Sequence, residues 1–314
     1  MIFITGATGH IGNNLVRKMD EQNIDYRILA RSIHRSIVDF KDKVIIGDVF
    51  STDFLEKNLK PHDTLIHLAA YINLNNDKQC MTDEINFVGV KLIADFCSIN
   101  NIYLVYTSST DAITSDKFLI SEPEVIDCDS LKSYYQKSKA MATNYILDLT
   151  KKKKIKSLIT YPSAVIGIND YKPSAIGKEI KRNFKRKICF YFKGGYNFVD
   201  VEDVVKSIID GIKLDKCDSY IISGEYISLY TMYKIIFETL NKKVIMIRIP
   251  IFLIKFCALI APKYNVMIKA LLTKHNYSNQ KVKTELKIHP NSIVATIKNT
   301  ILWFKEDIEN GSIN

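Results

Sequence analysis

The first twelve residues of the chain, Met1-Ile-Phe-Ile-Thr-Gly-Ala-Thr-Gly-His-Ile-Gly12, predict its fold. Residues 2–4 are apolar at successive positions, which is typical of a strand that is buried on both faces. Apolar residues then recur at helical spacing, at Ile11, Leu15, Val16 and Met19. The three glycines therefore fall on a strand-to-helix turn, which is the context that a dinucleotide-binding fingerprint requires.

Each glycine has its own role in such a turn. Gly6 permits the tight turn, Gly9 lets the backbone approach a pyrophosphate, and Gly12 lets the helix pack closely on the strand. The first N–H groups of the helix have no partner within the helix and are expected to face the phosphates. The residues predicted to contact the cofactor here, besides the glycines, are Thr8, His10 and Ile11. An ordinary glycine-rich turn is the alternative.

The composition is that of an ordinary globular protein, with 47% hydrophobic and 25% charged residues in a chain of 314. That length suits one large domain or two unequal ones. Its six cysteines are scattered, so we expect reduced thiols and neither disulfides nor a zinc site. The histidines also lack ligand spacing, and no metal is expected. Nothing resembles a signal peptide, so a cytoplasmic location is expected.

The formal net charge is +10, and two basic stretches stand out, at residues 151–154 and 178–187. Either could attract phosphates, nucleic acid or an acidic membrane surface. No nucleic-acid-binding motif accompanies the charge, so we expect solvated surfaces and no nucleic-acid partner.

The second strand, predicted over residues 26–30, indicates which dinucleotide is bound. An NAD-selective site usually has an acidic residue at the end of this strand, where it accepts the ribose hydroxyls. Here Arg31 occupies that place, and a cation suits the 2′-phosphate of NADP. NADP(H) is therefore the preferred cofactor and NAD(H) the alternative. The alternative interpretation of Arg31 is a surface arginine without a phosphate partner.

The residues that predict chemistry follow the fifth strand, expected over residues 102–107. The strand ends in Tyr106-Thr-Ser-Ser-Thr-Asp111, and a helix opens later with Ser133-Tyr-Tyr-Gln-Lys-Ser-Lys139. Tyr135 and Lys139 are four residues apart and share one helix face. An ammonium group near a phenol lowers the phenol pKa from about 10, which predicts proton exchange by Tyr135 near neutral pH.

The glycine loop, the Ser-Ser strand end and the Tyr-x-x-x-Lys pair together resemble the extended short-chain dehydrogenase/reductase family, within the NAD-dependent epimerase/dehydratase superfamily. The string Tyr106-Thr-Ser-Ser109 is most similar to the dihydroflavonol reductase and 3β-hydroxysteroid dehydrogenase branch. The resemblance implies that Ser109, Tyr135 and Lys139 are catalytic. A shift of one residue would instead match Thr110 and Asp111 to the sugar-nucleotide dehydratases, but Ala112 stands where those enzymes have Glu.

The same resemblance implies a doubly wound parallel α/β sheet (a Rossmann fold) with a smaller, interleaved C-terminal substrate region. We expect the dinucleotide-binding domain at residues 1–167, with 196–225 returning to it, and the substrate region at 168–195 and 226–314. The further cofactor contacts that it implies are Asp48, Val49, Ala69, Ala70, Asn86 and Pro162, with Tyr135 and Lys139. A turn cap is the alternative for Asp48.

These observations predict an NADP(H)-dependent oxidoreductase that interconverts a ketone or aldehyde and an alcohol by hydride transfer. The alternative is a nucleotide-sugar epimerase or dehydratase with tightly bound NAD. Tyr196 and Asn197 argue against it, because sugar-nucleotide epimerases usually have Arg-Asp there. A non-catalytic NADP sensor is a third interpretation, which the intact Ser109, Tyr135 and Lys139 set opposes.

Two expectations concern partners. The resemblance implies a homodimer that packs through the helices predicted at residues 83–99 and 133–149. The most apolar stretch, residues 244–261, is too short and too interrupted for a transmembrane helix, which needs about 20 apolar residues. A core or lid helix over an apolar substrate is the preferred interpretation of this stretch. An interfacial helix in peripheral contact with a membrane is the alternative.

Overall fold

A computed structural model describes residues 1–72, 77–115, 117–254 and 265–309. In chain order its strands are β1 (Ile2–Thr5), β2 (Tyr26–Ala30), β3 (Val44–Ile46), β4 (Thr64–His67), β5 (Tyr103–Thr107), β6 (Ser157–Pro162), β7 (Ala164–Ile166), β8 (Ile188–Tyr191), β9 (Gly195–Asp200), β10 (Ser219–Ile222), β11 (Tyr226–Ser228) and β12 (Ile245–Arg248).

The α-helices are α1 (His10–Glu21), α2 (Thr52–Asn58), α3 (Gln79–Asp83), α4 (Gly89–Ile99), α5 (Tyr134–Lys151), α6 (Ala175–Asn183), α7 (Val201–Lys213), α8 (Leu229–Thr239), α9 (Asn265–Leu272), α10 (Gln280–Glu285) and α11 (Ile293–Glu309). A π-helical turn, Glu84–Val88, joins α3 to α4, and 3-10 helices cover Arg35–Lys43 and Thr110–Ile113.

Seven parallel strands form the main sheet, in the order β3-β2-β1-β4-β5-β6-β10. The strand order reverses beside β1, which creates the crevice where open α/β sheets bind ligands. Successive residues of each strand point to opposite faces, so Phe3 packs with α4 and α5 while Ile4 packs with α1 and α7. The predicted doubly wound fold is confirmed.

Two smaller sheets belong to the C-terminal half of the chain. One has the order β11-β9-β7, and the other pairs β8 with β12 in parallel. Their buried residues form a third core with α8 and α11. The segment predicted to return to the first domain, residues 196–225, adds β10 to the main sheet and packs α7 against that sheet. Its strand β9 pairs instead with β7. The two parts are interleaved along the chain, and the exact domain boundaries stay a prediction.

The stretch 244–261 does not form the single helix that its hydrophobicity predicts. Its beginning is the strand β12, and helix is seen over residues 251–254, while residues 255–261 lie outside the described part of the chain. Pro250 disfavours helical backbone at the residue before it, and β8 offers an edge on which a strand can pair. No helix among the described residues is long and apolar enough to cross a membrane.

Candidate active site

The glycine loop has the geometry that its sequence predicts. Gly6 adopts a positive φ of 73°, and a Cβ atom there would lie 2.5 Å from the backbone nitrogen of Ala69. A Cβ atom on Gly12 would lie 2.3 Å from the carbonyl oxygen of Gly6. The first turn of α1 carries no acidic residue. The cradle therefore fits a dinucleotide pyrophosphate, because it combines close backbone approach with the positive end of a helix.

The start of α1 is bonded to the loop that follows β7. His10 Nε2 lies 3.0 Å from the carbonyl oxygen of Ile168, and Asn14 Nδ2 donates to the same oxygen at 3.1 Å. Asn13 Nδ2 donates to the carbonyl oxygen of Asn169 at 2.7 Å. Nε2 of His10 is therefore engaged by protein, while its Nδ1 is buried without a hydrogen-bond partner among the described residues. The helix that faces the phosphates is thereby tied to the beginning of the C-terminal half.

The end of β2 leaves one cation available. Arg31 is exposed and has no hydrogen-bond or ion-pair partner among the residues that the structure describes. Its neighbours are engaged elsewhere, since His34 caps the following 3-10 helix and Arg35 donates to the carbonyl oxygen of Tyr171 at 2.8 Å. Arg35 also lies 3.8 Å from the Asp307 carboxylate. Of these three residues, Arg31 is the one whose side chain has no partner in the described part of the chain.

The predicted adenine-side and ribose-side residues follow β3 and β4. Asp48 Oδ1 accepts a hydrogen bond from the backbone N–H of Phe50 at 3.0 Å, which is a turn-capping contact. The Asp48 side chain is exposed, while Val49 is buried in the core. Ala69 and Ala70 lie beyond β4, beside Gly6. The capping interpretation of Asp48 is therefore correct for one oxygen, and its contact with adenine stays a prediction.

Asn86 joins two walls of the site. It is fully buried in the π-helical turn, where its Nδ2 donates to the carbonyl oxygen of Tyr71 at 2.9 Å and its Oδ1 accepts from the Tyr71 N–H at 2.8 Å. Nδ2 also lies 3.3 Å from Ser138 Oγ on α5. The amide is thus occupied by protein, which indicates a positioning residue and leaves its predicted cofactor contact unsupported.

Helix α5 begins with a capping box that fixes its first turn. Ser133 Oγ accepts from the N–H of Gln136 at 3.1 Å, and Gln136 Oε1 accepts from the N–H of Ser133 at 3.1 Å. Such reciprocal bonds satisfy two amide groups that the helix leaves unpaired. Tyr135 is the second residue of this turn, so the cap determines where its phenol lies.

Lys139 extends from α5 into the core beneath the strand ends. Its Nζ donates to the carbonyl oxygen of Thr107 at 2.8 Å and to the hydroxyl of Tyr106 at 3.2 Å. Both acceptors are uncharged, and burial lowers the pKa of Lys139 to about 7.

The pKa of Tyr135 differs from the sequence prediction. Burial and the Asp111 carboxylate raise the pKa of Tyr135, and a hydrogen bond with the Ser109 hydroxyl opposes that rise. The predicted lowering by Lys139 is therefore wrong for the protein alone. The physical reason is that the ammonium group is directed at Thr107 and Tyr106 and is itself only partly protonated near neutral pH.

Three consecutive hydroxyls follow β5, and each has a different neighbour. Ser108 Oγ lies 2.7 Å from Thr143 Oγ1 inside the core. Ser109 faces Tyr135, while Thr110 bonds to Tyr277. Of the two registers that the sequence left open, the geometry therefore favours Ser109 as the partner of Tyr135.

Asp111 and two tyrosines complete the site in a way that the sequence pattern did not reveal. Burial raises the pKa of Tyr135, Tyr196 and Tyr277, and the negative charge of the Asp111 carboxylate raises each of them further. Burial also raises the pKa of Asp111 itself. Tyr277 lies near the site because its segment pairs with Ile120. The N–H of Ile120 donates to the carbonyl oxygen of Asn276 at 2.8 Å. No local motif marks these tyrosines, which are distant in sequence from the predicted catalytic residues.

Two further residues lie at the ends of interior strands of the main sheet, Pro162 on β6 and His67 on β4. Pro162 is the final residue of β6 and pairs with Ile222 of β10, so its backbone is extended as predicted. His67 is buried, its Nδ1 lies 2.8 Å from Thr5 Oγ1, and burial beside Lys139 lowers its pKa to about 3. A neutral histidine in this position has a structural role. Within the described ranges, no group of three or more His, Cys, Asp or Glu residues could hold a metal ion.

The doubly wound sheet, the glycine cradle and the Ser109, Tyr135 and Lys139 arrangement define an extended short-chain dehydrogenase/reductase fold. The model of the NAD dependent epimerase/dehydratase family matches residues 2–213, and the chain belongs to that family.

Individual relatives differ in what their names describe. A putative dihydroflavonol 4-reductase of Synechocystis sp. is 30% identical over 238 residues, which cover 72% of this chain and 68% of that protein. Sterol demethylase protein B of Methylococcus capsulatus is 22% identical over 96% of this chain and 98% of its own. UDP-glucose 4-epimerase from Thermotoga maritima, solved with UDP-glucose, has a TM-score of 0.79 at 16% identity, covering 98% and 99% of the two chains. This last likeness shows the fold.

Proposed function

We propose that the protein is an NADP(H)-dependent oxidoreductase that interconverts a ketone or aldehyde and an alcohol. The observation that carries the proposal is the hydroxyl of Ser109 beside the phenol of Tyr135 at the carboxyl end of β5, with Lys139 buried behind them. Ligands of an open parallel sheet bind beyond this end of the strands. A relative named as a putative dihydroflavonol 4-reductase, at 30% identity, supports it.

Each of the three side chains has a distinct task in this reaction. The nicotinamide, when bound, supplies or accepts the hydride. Tyr135 donates its proton to the carbonyl oxygen during reduction and takes it back during oxidation. Ser109 donates a hydrogen bond to the same oxygen as negative charge develops there. Lys139 would hold the nicotinamide ribose with its Nζ, which in the protein alone donates to Thr107 and Tyr106.

The preference for NADP(H) rests on Arg31. The guanidinium is exposed and unpaired within the described part of the chain, at the strand end where the adenosine ribose is bound in this fold. A guanidinium binds a phosphate with two parallel hydrogen bonds. A homodimer through α4 and α5 and a cytoplasmic location stay predictions of the sequence.

A second candidate is a nucleotide-sugar epimerase or dehydratase that retains NAD. The wall formed by Asp111, Tyr196 and Tyr277 favours it, because a carboxylate and two phenols suit a substrate rich in hydroxyl groups. Against it, Tyr196 stands where those enzymes usually have the diphosphate-binding arginine, and Asn197 stands where they have aspartate. The Asn197 Nδ2 donates to the carbonyl oxygen of His275 at 2.7 Å.

The deciding experiment is a titration of purified protein with NADPH and NADH by fluorescence, after bound nucleotide has been assayed by denaturation and chromatography. Empty protein with about a tenfold or greater preference for NADPH supports the reductase, since charge-assisted hydrogen bonds are worth that much. Protein that carries NAD from purification contradicts the reductase and supports the epimerase.

The variant Tyr135→Phe distinguishes an enzyme from a non-catalytic NADP sensor. We expect turnover to fall by about 10²-fold or more while NADPH binding is retained, because general acid catalysis contributes that much. The matched control is Tyr134→Phe, which removes the neighbouring phenol at the start of the same helix. Equal losses in both variants would contradict the role of Tyr135. A protein partner that responds to NADPH without any turnover would support the sensor.

A further inference from the structure

The two-stranded sheet of β8 and β12 exposes an apolar face. Its outward side chains are Ile188, Phe190, Ile245 and Ile247, which are 48%, 57%, 65% and 41% exposed. The register pairs Ile245 with Ile188 and Ile247 with Phe190, so the four side chains lie side by side on one surface. Cys189, between them in sequence, points the other way and is fully buried in the third core. The face is therefore part of a folded element.

Two more apolar side chains are exposed a few residues after β12 in the sequence. Phe252 and Leu253 are 69% and 43% exposed on the helical residues 251–254. Exposed apolar residues that occur singly need no explanation, whereas a contiguous group marks an interaction site. We call the six side chains, from β8, β12 and residues 252–253, the apolar face.

Positive charge surrounds the apolar face. Exposed Lys185 and Lys187 lie just before β8, and exposed Lys243 and Arg248 lie at the two ends of β12. The sequence contains no Asp or Glu at 180–199 or at 239–284. The nearest acidic residue before β8 is Glu179, which already contacts Arg182 and Arg186 at 3.5 and 2.9 Å. The two sequence stretches that carry the apolar face thus contain basic residues and no acidic ones.

The combination of exposed apolar side chains and positive charge favours one kind of binding partner for the apolar face. A second copy of the same face would bring like charges together, which disfavours association. Nucleic acid attracts the lysines but offers no apolar layer for the isoleucines and phenylalanines. An anionic bilayer provides both, since apolar side chains enter the boundary with the acyl chains while basic residues remain among the headgroups. We propose that the apolar face docks this protein on the surface of an anionic lipid membrane. This proposal is independent of the reaction proposed above.

The test is co-sedimentation of the full-length protein with vesicles. We expect binding to vesicles of equal parts phosphatidylcholine and phosphatidylserine, weak binding to phosphatidylcholine alone, and a decline as salt is raised. The double variant Lys185→Glu with Lys187→Glu should lower binding at least about tenfold. Each basic residue near an anionic surface raises the membrane affinity about fivefold. Phe190→Ser with Ile247→Ser should lower it about tenfold or more through lost apolar contact.

Two matched controls test whether the loss of vesicle binding is specific to the apolar face. Lys151→Glu with Lys154→Glu reverses two charges in the other basic stretch, and Leu214→Ser removes an apolar residue that is 53% exposed elsewhere. Thermal stability and NADPH binding show that each variant is folded. Vesicle binding that is absent, equal on neutral vesicles, or lowered equally by the controls would overturn the proposal. An oligomer that only the Phe190 and Ile247 variant dissociates, with lipid binding intact, would assign the face to a second copy.

Discussion

The phenol of Tyr135 lies between a hydroxyl and a carboxyl group that act on it in opposite directions. Ser109 donates to it and favours the phenolate, whereas the negative charge of Asp111 disfavours the phenolate. Oxidation of an alcohol needs the phenolate as base, so its rate should rise with pH through the pKa of Tyr135. Asp111 therefore sets the pH at which that rise occurs.

Neutralising this carboxyl group should move the pH profile. Asp111→Asn removes the negative charge, lowers the pKa of Tyr135, and makes alcohol oxidation reach its maximum at lower pH than in the wild type. The measurement is kcat against pH in the oxidative direction. Asp129→Asn, in an exposed turn, is the control and should leave the profile unchanged. A profile that stays in place or moves to higher pH would show that Asp111 does not act on Tyr135.

Arg31 offers a test of cofactor choice at a single side chain. Arg31→Ala should weaken NADPH binding by about 10- to 100-fold, the worth of a charge-assisted hydrogen bond, and leave NADH binding almost unchanged. Arg27→Ala, on an exposed position of the same strand, is the matched control. Fluorescence titration of both cofactors gives the ratio. Equal weakening of NADPH and NADH would assign Arg31 a structural role.

Among the elements, helix α5 connects fold stability to catalysis through its first turn. Ser133→Ala should destabilise the protein by about 1 kcal/mol, the usual worth of an N-cap, and should also lower kcat because Tyr135 lies within the capped turn. The comparison is Ser228→Ala, which removes the cap of α8 in the third core. Denaturant unfolding should give similar losses of stability for both variants, and kcat should fall for Ser133→Ala alone. A parallel fall in both would contradict the argument.

The elements also show what the pattern of residues could predict. Strand β2 begins and ends at the predicted residues, because buried parallel strands are short apolar runs bounded by polar ones. Strand β12 was misread as helix, because a short apolar run has no periodicity that distinguishes the two states. The π-helical turn around Asn86 was also unpredicted, since nothing in the propensity of its residues separates it from the flanking helices.

At the scale of the whole molecule, the candidate site also contains some residues that the sequence pattern predicts and others that it does not. The glycine loop, Tyr135 and Lys139 are local patterns, so their spacing carries enough information to predict them. Tyr196 and Tyr277 reach Asp111 only because distant segments fold together, and one sequence does not specify such a meeting. Sequence thus predicts local motifs better than the contacts between distant segments.

The hydrogen bonds between α1 and the loop after β7 link the N-terminal half of the chain to the C-terminal half. His10, Asn13 and Asn14, which open the phosphate-facing helix, hold the backbone of Ile168 and Asn169, where the chain enters its C-terminal half. A dinucleotide that settles on α1 would therefore restrain the first residues of that half before any carbonyl compound arrives.

Amide hydrogen exchange measures that restraint directly. Exchange at residues 168–174 should slow when NADPH is added, and Asn13→Ala with Asn14→Ala should abolish the slowing. Unchanged exchange in the wild type would contradict the coupling. Slower exchange that depends on Asn13 and Asn14 would mean that a bound dinucleotide stabilises the beginning of the C-terminal half through helix α1.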